Sequence, residues 1–292
     1  MTTRASKYLA TWLLMALLCA LPAWAGDDGD ADVPPLRPTL SMFTVGVGHA
    51  STYDSYVSPL NHGGLGLSMG YEAMRATRFN PQHWLWQLAV GAEYDYTGNP
   101  AGNRHLHLLA GNFTFDMQHR WRDVGMQRLD LAVGPMMQLR GGVIYNPANS
   151  NNVVSVLARG SVGVTGMATY NTRCWRLPVT LRYQLQLPVL GVFFSPEYDE
   201  SYYEIYLGNT RNLAHVGWWG NRLDMNHYLG ADVHLGSTIV RVGYQCQFER
   251  SHVSNLHVHN VTHSLVVGIG GEFIGLGRKP RLADRDIVSP LY

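Results

Sequence analysis

A two-residue alternation of apolar and polar side chains constrains this chain more than any other feature of its sequence. One segment, for example, sets Leu65, Leu67 and Met69 against Ser68 and Gly70. Comparable segments of roughly 10 to 16 residues recur ten times after residue 40. Because successive side chains of a β-strand point to opposite faces, this period predicts strands with one apolar and one polar face.

Alternating strands fit either a soluble sandwich or a membrane barrel, and the length of the segments favours the barrel. Sandwich strands usually have about 5–6 residues, whereas membrane strands need about 9–11 or more. The polar faces carry glycine, arginine, glutamate and glutamine, as a polar lumen would. Trp84 and Trp86 lie ten residues before Tyr94 and Tyr96 on one face, which in a tilted strand is roughly 25 Å, the distance between aromatic girdles.

The sequence therefore predicts an all-β fold, an antiparallel transmembrane β-barrel of about ten strands, following a cleaved signal peptide. Twelve strands would result if the segment 188–225 held an extra hairpin, with residues 202–206 paired to residues 215–219. Mean hydropathy is −0.10, which excludes a bundle of transmembrane helices. The net charge of +1 gives no electrostatic reason to expect nucleic acid as a partner.

The N-terminal 25 residues have the features of a secretory signal peptide. Arg4 and Lys7 precede an apolar stretch, and Ala23-Trp24-Ala25 fits the small-residue cleavage rule. Four aspartates and a Pro-Pro pair then predict a flexible acidic leader over residues 26–39. The expected barrel covers residues 40–274, and residues 275–292 form a predicted C-terminal tail in the periplasm.

The lengths of the links predict the orientation of the barrel, because both termini of a bacterial barrel normally face the periplasm. Short links are expected on the periplasmic side, at 77–82, 121–127, 172–177 and 236–237. Longer links are expected on the extracellular side, at 49–63, 97–104, 141–153, 188–225 and 250–257.

Several short stretches, mostly in the predicted loops, carry a resemblance to a known family. They are 53–60 (YDSYVSPL), 99–103 (NPAGN), 145–152 (YNPANSNN), 181–188 (LRYQLQLP), 194–198 (FSPEY), 201–205 (SYYEI) and 263–264 (HS). Over about residues 40–272 the chain resembles an outer-membrane β-barrel family of Bacteroidota-type bacteria that is classed as a domain of unknown function. The resemblance implies the barrel and the cell outer membrane, and it supplies no catalytic residues. A barrel there would contact outer-membrane lipid and lipopolysaccharide and would be inserted by the barrel assembly machinery.

The polar faces predict a charged lumen. The candidate lumen residues are Arg128, Arg140, Arg159, Arg182 and Arg241, together with Glu72, Glu93, Asp95, Asp116, Asp130 and Asp232. They could line a path for polar solutes, or they could plug the barrel. Small barrels are nearly filled by their own side chains, and arginine suits fixed bidentate pairs, so we favour a plug.

The predicted topology disfavours two enzyme hypotheses. The segments 93–95 and 232–234 resemble two halves of an outer-membrane aspartyl-type protease site, but alternating strand directions place Asp95 and His234 near opposite ends. General base catalysis requires hydrogen-bond reach. A lipase would need a serine and a histidine at one point, whereas His263 and Ser264 point to opposite faces. No catalytic residue is therefore predicted, and an outer-membrane protease or lipase is disfavoured.

The longest predicted loop combines carboxylates with tyrosines. The residues concerned are Glu197, Tyr198, Asp199, Glu200, Tyr202, Tyr203 and Glu204. Carboxylates could bind calcium, and tyrosine faces could bind a sugar. The favoured alternative is a loop that packs on itself and folds over the barrel mouth.

Four histidines predict a weak site for a divalent metal. His49, His252, His257 and His259 converge when the first strand pairs with the last, and imidazole suits zinc, copper or nickel. The alternative is that histidine is tolerated at the membrane rim, because the alternation places His257 and His259 on the outward face. No other cofactor is predicted.

The preferred functional class is a surface-exposed structural or interaction protein whose polar lumen is largely plugged. A narrow channel or transporter for small polar solutes is the first alternative, and an outer-membrane enzyme is the second. Cys174 and Cys246 are expected at different heights of the barrel, too far apart for a disulfide.

Overall fold

The structure is a computed structural model that describes residues 35–149, 152–197, 200–201, 204–205, 207–208, 212–274 and 287–291. Within this part of the chain, eleven strands form one antiparallel sheet. In chain order they are β1 (Thr39–Asp54), β2 (Ser58–Ala76), β3 (Trp84–Gly98), β4 (His105–Trp121), β5 (Leu129–Tyr145), β6 (Val154–Cys174), β7 (Leu177–Phe194), β8 (Ala214–Trp218), β9 (Arg222–Leu235), β10 (Thr238–Val253) and β11 (Leu256–Phe273). The predicted signal peptide lies outside the described residues.

The sheet closes into a barrel with ten strand positions. Consecutive strands pair from β1 to β8 and from β9 to β11, β1 also pairs with β11, and the pairing of β7 with β9 completes the ring. Both β8 and β9 run antiparallel to β7, β8 along residues 190–194 and β9 along residues 179–186. They therefore share one position, which confirms ten strands. The proposed extra hairpin is wrong, because residues 204–205 are helical and residues 214–218 pair with β7.

The change from β8 to β9 coincides with an irregularity in β7. Val189 is an extra residue in the pairing of β7 with β6, and both Val189 and Leu190 point outward. Pro188, just before it, has no N–H to donate to a neighbouring strand. The Trp219 Nε1 atom donates to the Pro188 carbonyl at 3.0 Å. A β-bulge at this point bends β7, and the strand that pairs with β7 is interrupted there, between β8 and β9.

We call the end where β1 begins and β11 ends the terminal end, and the opposite end the loop end. Links at the terminal end are 77–83, 122–128, 175–176 and 236–237, whereas those at the loop end are 55–57, 99–104, 146–153, 195–213 and 254–255. The predicted long links 49–63 and 250–257 are therefore wrong, because the strands extend into them and leave only 55–57 and 254–255 as links. The predicted link 188–225 is shortened in the same way by β7, β8 and β9. Ser254 and Asn255 form a two-residue turn with φ of 53° and 63°, as type I′ hairpins require.

The alternation seen in the sequence separates an outward face from a lumen face. On β1, Phe43 and Val45 are 64% and 65% exposed, while Leu40 and Met42 are fully buried in the interior. A continuous outward apolar surface of this kind matches lipid rather than water. The closed sheet also gives strand backbone groups partners, as a bilayer demands. Among the described residues, no helix is long and apolar enough to cross a membrane.

The two cysteines in the described part of the chain are unpaired, as predicted. Cys174 is exposed at the last position of β6, and Cys246 lies on the outward face of β10.

Candidate functional site

The lumen is filled in three layers, and these form the candidate site. The terminal-end layer is apolar and consists of Leu40, Met42, Met74, Leu85, Ala132, Met167, Ile239 and Leu291. The loop-end layer is also apolar and consists of Tyr56, Val57, Leu106, Leu108, Ala110, Ile144 and Leu256. Strand β5 crosses all three layers, because its inward residues include Ala132, then Arg140, then Ile144. The middle layer contains the charged residues.

One half of the middle layer is an ion-pair network nearer the loop end. It joins three arginines to three carboxylates: Arg140, Arg159 and Arg222 with Glu93, Asp224 and Glu249. Glu249 bridges Arg159 at 2.7 Å and Arg140 at 3.2 Å. Because the formal charges cancel, the network can be buried without an uncompensated ion.

The second network lies nearer the terminal end and is also neutral. Arg241 forms a bidentate pair with Asp232, with both nitrogen–oxygen distances at 2.7 Å. Glu72 bridges Arg241 at 2.7 Å and Arg182 at 2.6 Å. The Tyr228 ring lies 5.7 and 5.8 Å from these two guanidinium groups. Paired, hydrogen-bonded arginines of this kind are held in a fixed geometry.

Four predicted lumen residues fall outside both networks. The prediction that Arg128 faces the lumen is wrong, because Arg128 lies exposed in the 122–128 turn with a positive φ. Asp130 is buried and accepts a bond from the Asp123 amide at 3.2 Å. Asp116 accepts from Gln118 at 2.8 Å, and Asp95 is buried near the loop end. In the described part of the chain, none of these three carboxylates is within ion-pair distance of an arginine.

Five lumen residues were not predicted from the sequence. They are Arg120, Arg222, Asp224, Tyr228 and Glu249. The alternation could have identified Arg120 and Glu249, because Arg120 lies an even number of positions after the inward Asp116, and Glu249 an even number of positions after the inward Arg241. Residues 222 and 224 were assigned to a long loop, so the alternation was not followed there.

A cavity of about 160 Å³ remains within the middle layer. Amide side chains line much of it, among them Gln87, Gln138, Gln184 and Asn226. Hydrogen bonds of 2.9 and 3.3 Å link Gln184 to Gln87 and to Thr165. A polar space of this size holds several water molecules.

The terminal end is closed by the segment Ile287–Leu291. Its Val288 amide donates to the Leu36 carbonyl at 2.9 Å, and residues 36 and 287 form a parallel bridge. Leu291 is fully buried in the terminal-end layer. Residue 36 is therefore paired and buried rather than part of a flexible leader, and residues 287–291 of the predicted C-terminal tail pack into this end of the barrel.

The loop end is closed by the short link between β1 and β2. The Val57 carbonyl accepts bonds from the side-chain amides of Asn146 at 2.9 Å and Asn149 at 3.0 Å. The Tyr56 hydroxyl donates to the Glu200 carbonyl at 2.8 Å. These bonds hold the link inward, and the side chains of Tyr56 and Val57 are both buried.

The described carboxylates of the longest loop are used within that loop. Ser201 and Glu204 form a capping box, with the Ser201 amide 2.7 Å from the Glu204 carboxylate. The bonds that the Ser201 amide and hydroxyl donate to the Glu204 carboxylate lower the pKa of Glu204 below its usual value. Glu197 accepts from Asn212 at 3.0 Å, and the Glu197 amide donates to Glu200 at 3.3 Å. Tyr198, Asp199, Tyr202 and Tyr203 lie outside the described residues.

The four histidines of the predicted metal site are not brought together. His252 and His257 stack with ring centroids 4.0 Å apart, whereas His49 pairs in register with His263. His259 packs edge-on against Phe248 at 5.3 Å. In the part of the chain that the structure describes, no three histidine, cysteine or acidic side chains are grouped to hold a metal ion.

The two segments of the protease hypothesis lie at opposite ends of the barrel. Asp95 is near the loop end of β3, and His234 is next to the last residue of β9 at the terminal end. The His234 Nε2 atom is 3.0 Å from the Thr180 hydroxyl, and Asp232 is engaged by Arg241. These groups therefore do not form one site.

A family described as "Protein of unknown function (DUF3316)" matches residues 12–280, which is most of the chain. The chain belongs to the DUF3316 family. Among curated proteins, none matches this DUF3316 chain.

Solved outer-membrane proteins share the barrel architecture of this DUF3316 chain at low identity. The translocator domain of the autotransporter NalP from Neisseria meningitidis is 13% identical, with a TM-score of 0.33, and the match covers 93% of this chain and 98% of that one. For the outer membrane protease OmpT from Escherichia coli the identity is 9%, the TM-score 0.44 and the coverage 84% and 99%. The transport unit of the autotransporter AIDA-I from Escherichia coli is 8% identical, with a TM-score of 0.38, and the match covers 89% of this chain and 97% of that one. The strand pairings of the DUF3316 chain themselves show a closed antiparallel barrel with ten strand positions.

Proposed function

We propose that this protein is a non-conducting outer-membrane barrel that acts as a structural or interaction protein through its loop end. The observation that carries the proposal is the closure of the lumen at both ends by apolar layers. Between these layers, the arginines of the two ion-pair networks are bonded to carboxylates. A hydrated ion would have to displace an apolar layer, and transferring charge through such a layer without compensation is costly.

The proposed location is the cell outer membrane, reached through the predicted signal peptide. The outward apolar face supports this location, since it would otherwise contact water. Outer-membrane lipid and lipopolysaccharide are the expected surroundings of that face, and the barrel assembly machinery is the expected insertion partner. The Bacteroidota-type source of the family stays a prediction.

Conductance in planar bilayers tests the proposed function. The purified full chain is expected to insert without opening steps above the baseline, while a porin of known conductance serves as the positive control. Discrete openings would favour the first alternative, a narrow channel for small polar solutes. The polar cavity of about 160 Å³ is the feature that a channel would use.

Enzyme activity is not part of the proposal. The candidate protease segments lie at opposite ends, and the loop carboxylates bond within their own loop. A screen for peptide and lipid hydrolysis by the refolded barrel is expected to give no turnover above that of a boiled sample.

A further inference from the structure

The geometry points to the terminal-end mouth of the lumen as a peptide-binding socket. Its ligand class is an extended peptide in which an apolar residue follows a Ser-Pro pair. In this structure the chain's own segment Ile287–Leu291, with the sequence IVSPL, occupies the socket. This inference rests on the proposed closed lumen, because the segment completes the closure of the terminal end.

The socket recognises the peptide backbone. One nitrogen of Arg120, Nη1, donates to the carbonyls of Ser289 at 3.1 Å and Pro290 at 3.2 Å. The Asn171 amide donates to the Leu291 carbonyl at 3.0 Å. Binding through main-chain groups, with pockets for selected side chains, is a recurrent mode of peptide recognition.

The socket also has a pocket for one side chain. Leu291 is fully buried against an apolar wall that includes Met42, Met74 and Met167. Methionine side chains are flexible and polarizable, and they fit apolar groups of different shapes. The Ser289 hydroxyl donates to the Glu272 carboxylate, which adds a polar contact beside this pocket.

The walls of the socket do not depend on the segment for their backbone pairing. Strand β1 pairs with β11 along its full length, from Thr39 to Asp54, and also with β2. Arg120 and Asn171 come from β4 and β6, which have both of their neighbouring strands. The segment can therefore leave without breaking the strand ladder. In the described part of the chain, the Nε and Nη2 atoms of Arg120 have no hydrogen-bond partner, so the socket retains unused donors.

A thiol-accessibility experiment on the full chain tests the bound state. In a Cys19→Ser, Cys174→Ser, Cys246→Ser background, Val288→Cys places a thiol at a position that is 3% exposed, and Ser237→Cys places one in an exposed turn at the same end. A water-soluble thiol reagent is expected to modify residue 288 at least about tenfold more slowly than residue 237, because reaction requires local opening. Adding Leu291→Asp is expected to raise the rate at residue 288 alone. Equal rates at the two positions in the parent chain would overturn the inference.

A binding experiment tests whether the segment is a separable ligand. A chain that ends at residue 283, with heat-modifiable mobility as the check on folding, is titrated into a fluorescent peptide of residues 284–292. Saturable binding is expected, and a Leu291→Asp peptide should bind at least about tenfold more weakly, since about 1.4 kcal/mol of lost apolar burial produces that factor. Arg120→Gln should weaken binding similarly, while Arg122→Gln, a change at an exposed arginine of the same end, should not. Equal binding of both peptides, or no binding, would contradict the socket.

Should the shortened chain fail to fold, peptide competition on the full chain decides. An excess of the wild-type peptide is expected to accelerate modification of Val288→Cys, and the Leu291→Asp peptide is not. No acceleration by the wild-type peptide would overturn the inference. The proposed function is tested separately, by the conductance of the intact chain, so a failure of the socket and a failure of the closed lumen can be told apart.

Discussion

The two ends of the lumen are closed by apolar layers of similar composition but different origin. At the loop end, the strands and the short link 55–57 supply the layer, including Leu106, Ile144 and the pair Tyr56–Val57. At the terminal end, the strands supply the walls, and Leu291 fills the centre from a segment remote in the sequence. The loop-end closure is formed by the barrel itself, whereas the terminal-end closure requires the separate segment 287–291. Equal burial therefore does not imply equal dependence of the fold on a residue.

The largest expected effect contrasts one buried leucine from each layer. Leu106→Asp places a carboxylate on an inward position of β4 and should destabilise the barrel by about 4 kcal/mol or more, because the charge has no partner there. Leu291→Asp should leave the barrel transition within about 1 kcal/mol of the parent, because the segment can withdraw into water. The temperature at which heat-modifiable mobility is lost measures both. Similar losses for the two variants would show that the terminal closure is as integral as the loop-end closure.

A smaller effect is expected in the charged layer that separates the two closures. Glu249→Gln removes the carboxylate shared by Arg140 and Arg159 and should cost about 3 kcal/mol, since it leaves buried cations undercompensated. Asp116→Asn serves as the control, because its carboxylate bonds to Gln118 and not to an arginine. The control should cost less than about 1 kcal/mol. Urea unfolding of the refolded barrel checks the pair, and a greater loss for Asp116→Asn would contradict the assignment of the network.

A third pair sharpens the comparison through two asparagine side chains. Asn146→Ala removes a bond to the Val57 carbonyl and one from the Ala148 amide. Asn171→Ala removes a bond to the Leu291 carbonyl and one from the Thr180 hydroxyl. Each should weaken its own closure by about 1–2 kcal/mol. Hydrogen exchange is expected to rise around residues 55–57 in the first variant and around residues 288–291 in the second. Exchange that rises at both ends in either variant would mean that the closures are coupled.

The smallest expected effect is a pH dependence in the loop above the loop-end layer. Hydrogen bonds from Ser201 lower the pKa of Glu204 from its ordinary value of 4.5, so the capping box favours the ionised form. Its contribution is present above pH 4.5 and is lost as the pH falls through the lower, folded pKa. Amide exchange at residues 204–205, corrected for its intrinsic pH dependence, should therefore increase in that window. Glu204→Gln is expected to remove the pH response, and a response that persists would place its origin elsewhere.

The sequence predicted the barrel well because alternation is a local property. The alternation within each strand shows which side chains point outward and which point into the lumen. It therefore identified most charged lumen residues, and the outward Trp84, Trp86, Tyr94 and Tyr96, without tertiary information. Prediction failed where the local pattern was interrupted. The bulge at Val189 and the break between β8 and β9 made residues 188–225 resemble a loop, and Arg222 and Asp224 were missed there.

Only the tertiary structure determines which lumen side chains pair with each other and where the C-terminal segment 287–291 packs. Residue parity alone predicted that Arg140, Arg182 and Arg241 face inward, but closure of the sheet determined that Glu249 lies between Arg140 and Arg159 and that Glu72 bridges Arg182 and Arg241. Likewise, nothing local distinguishes IVSPL at residues 287–291 from an exposed tail. Its burial depends on a mouth lined by residues from seven strands, and contacts between residues so far apart in sequence exist only after the barrel has closed.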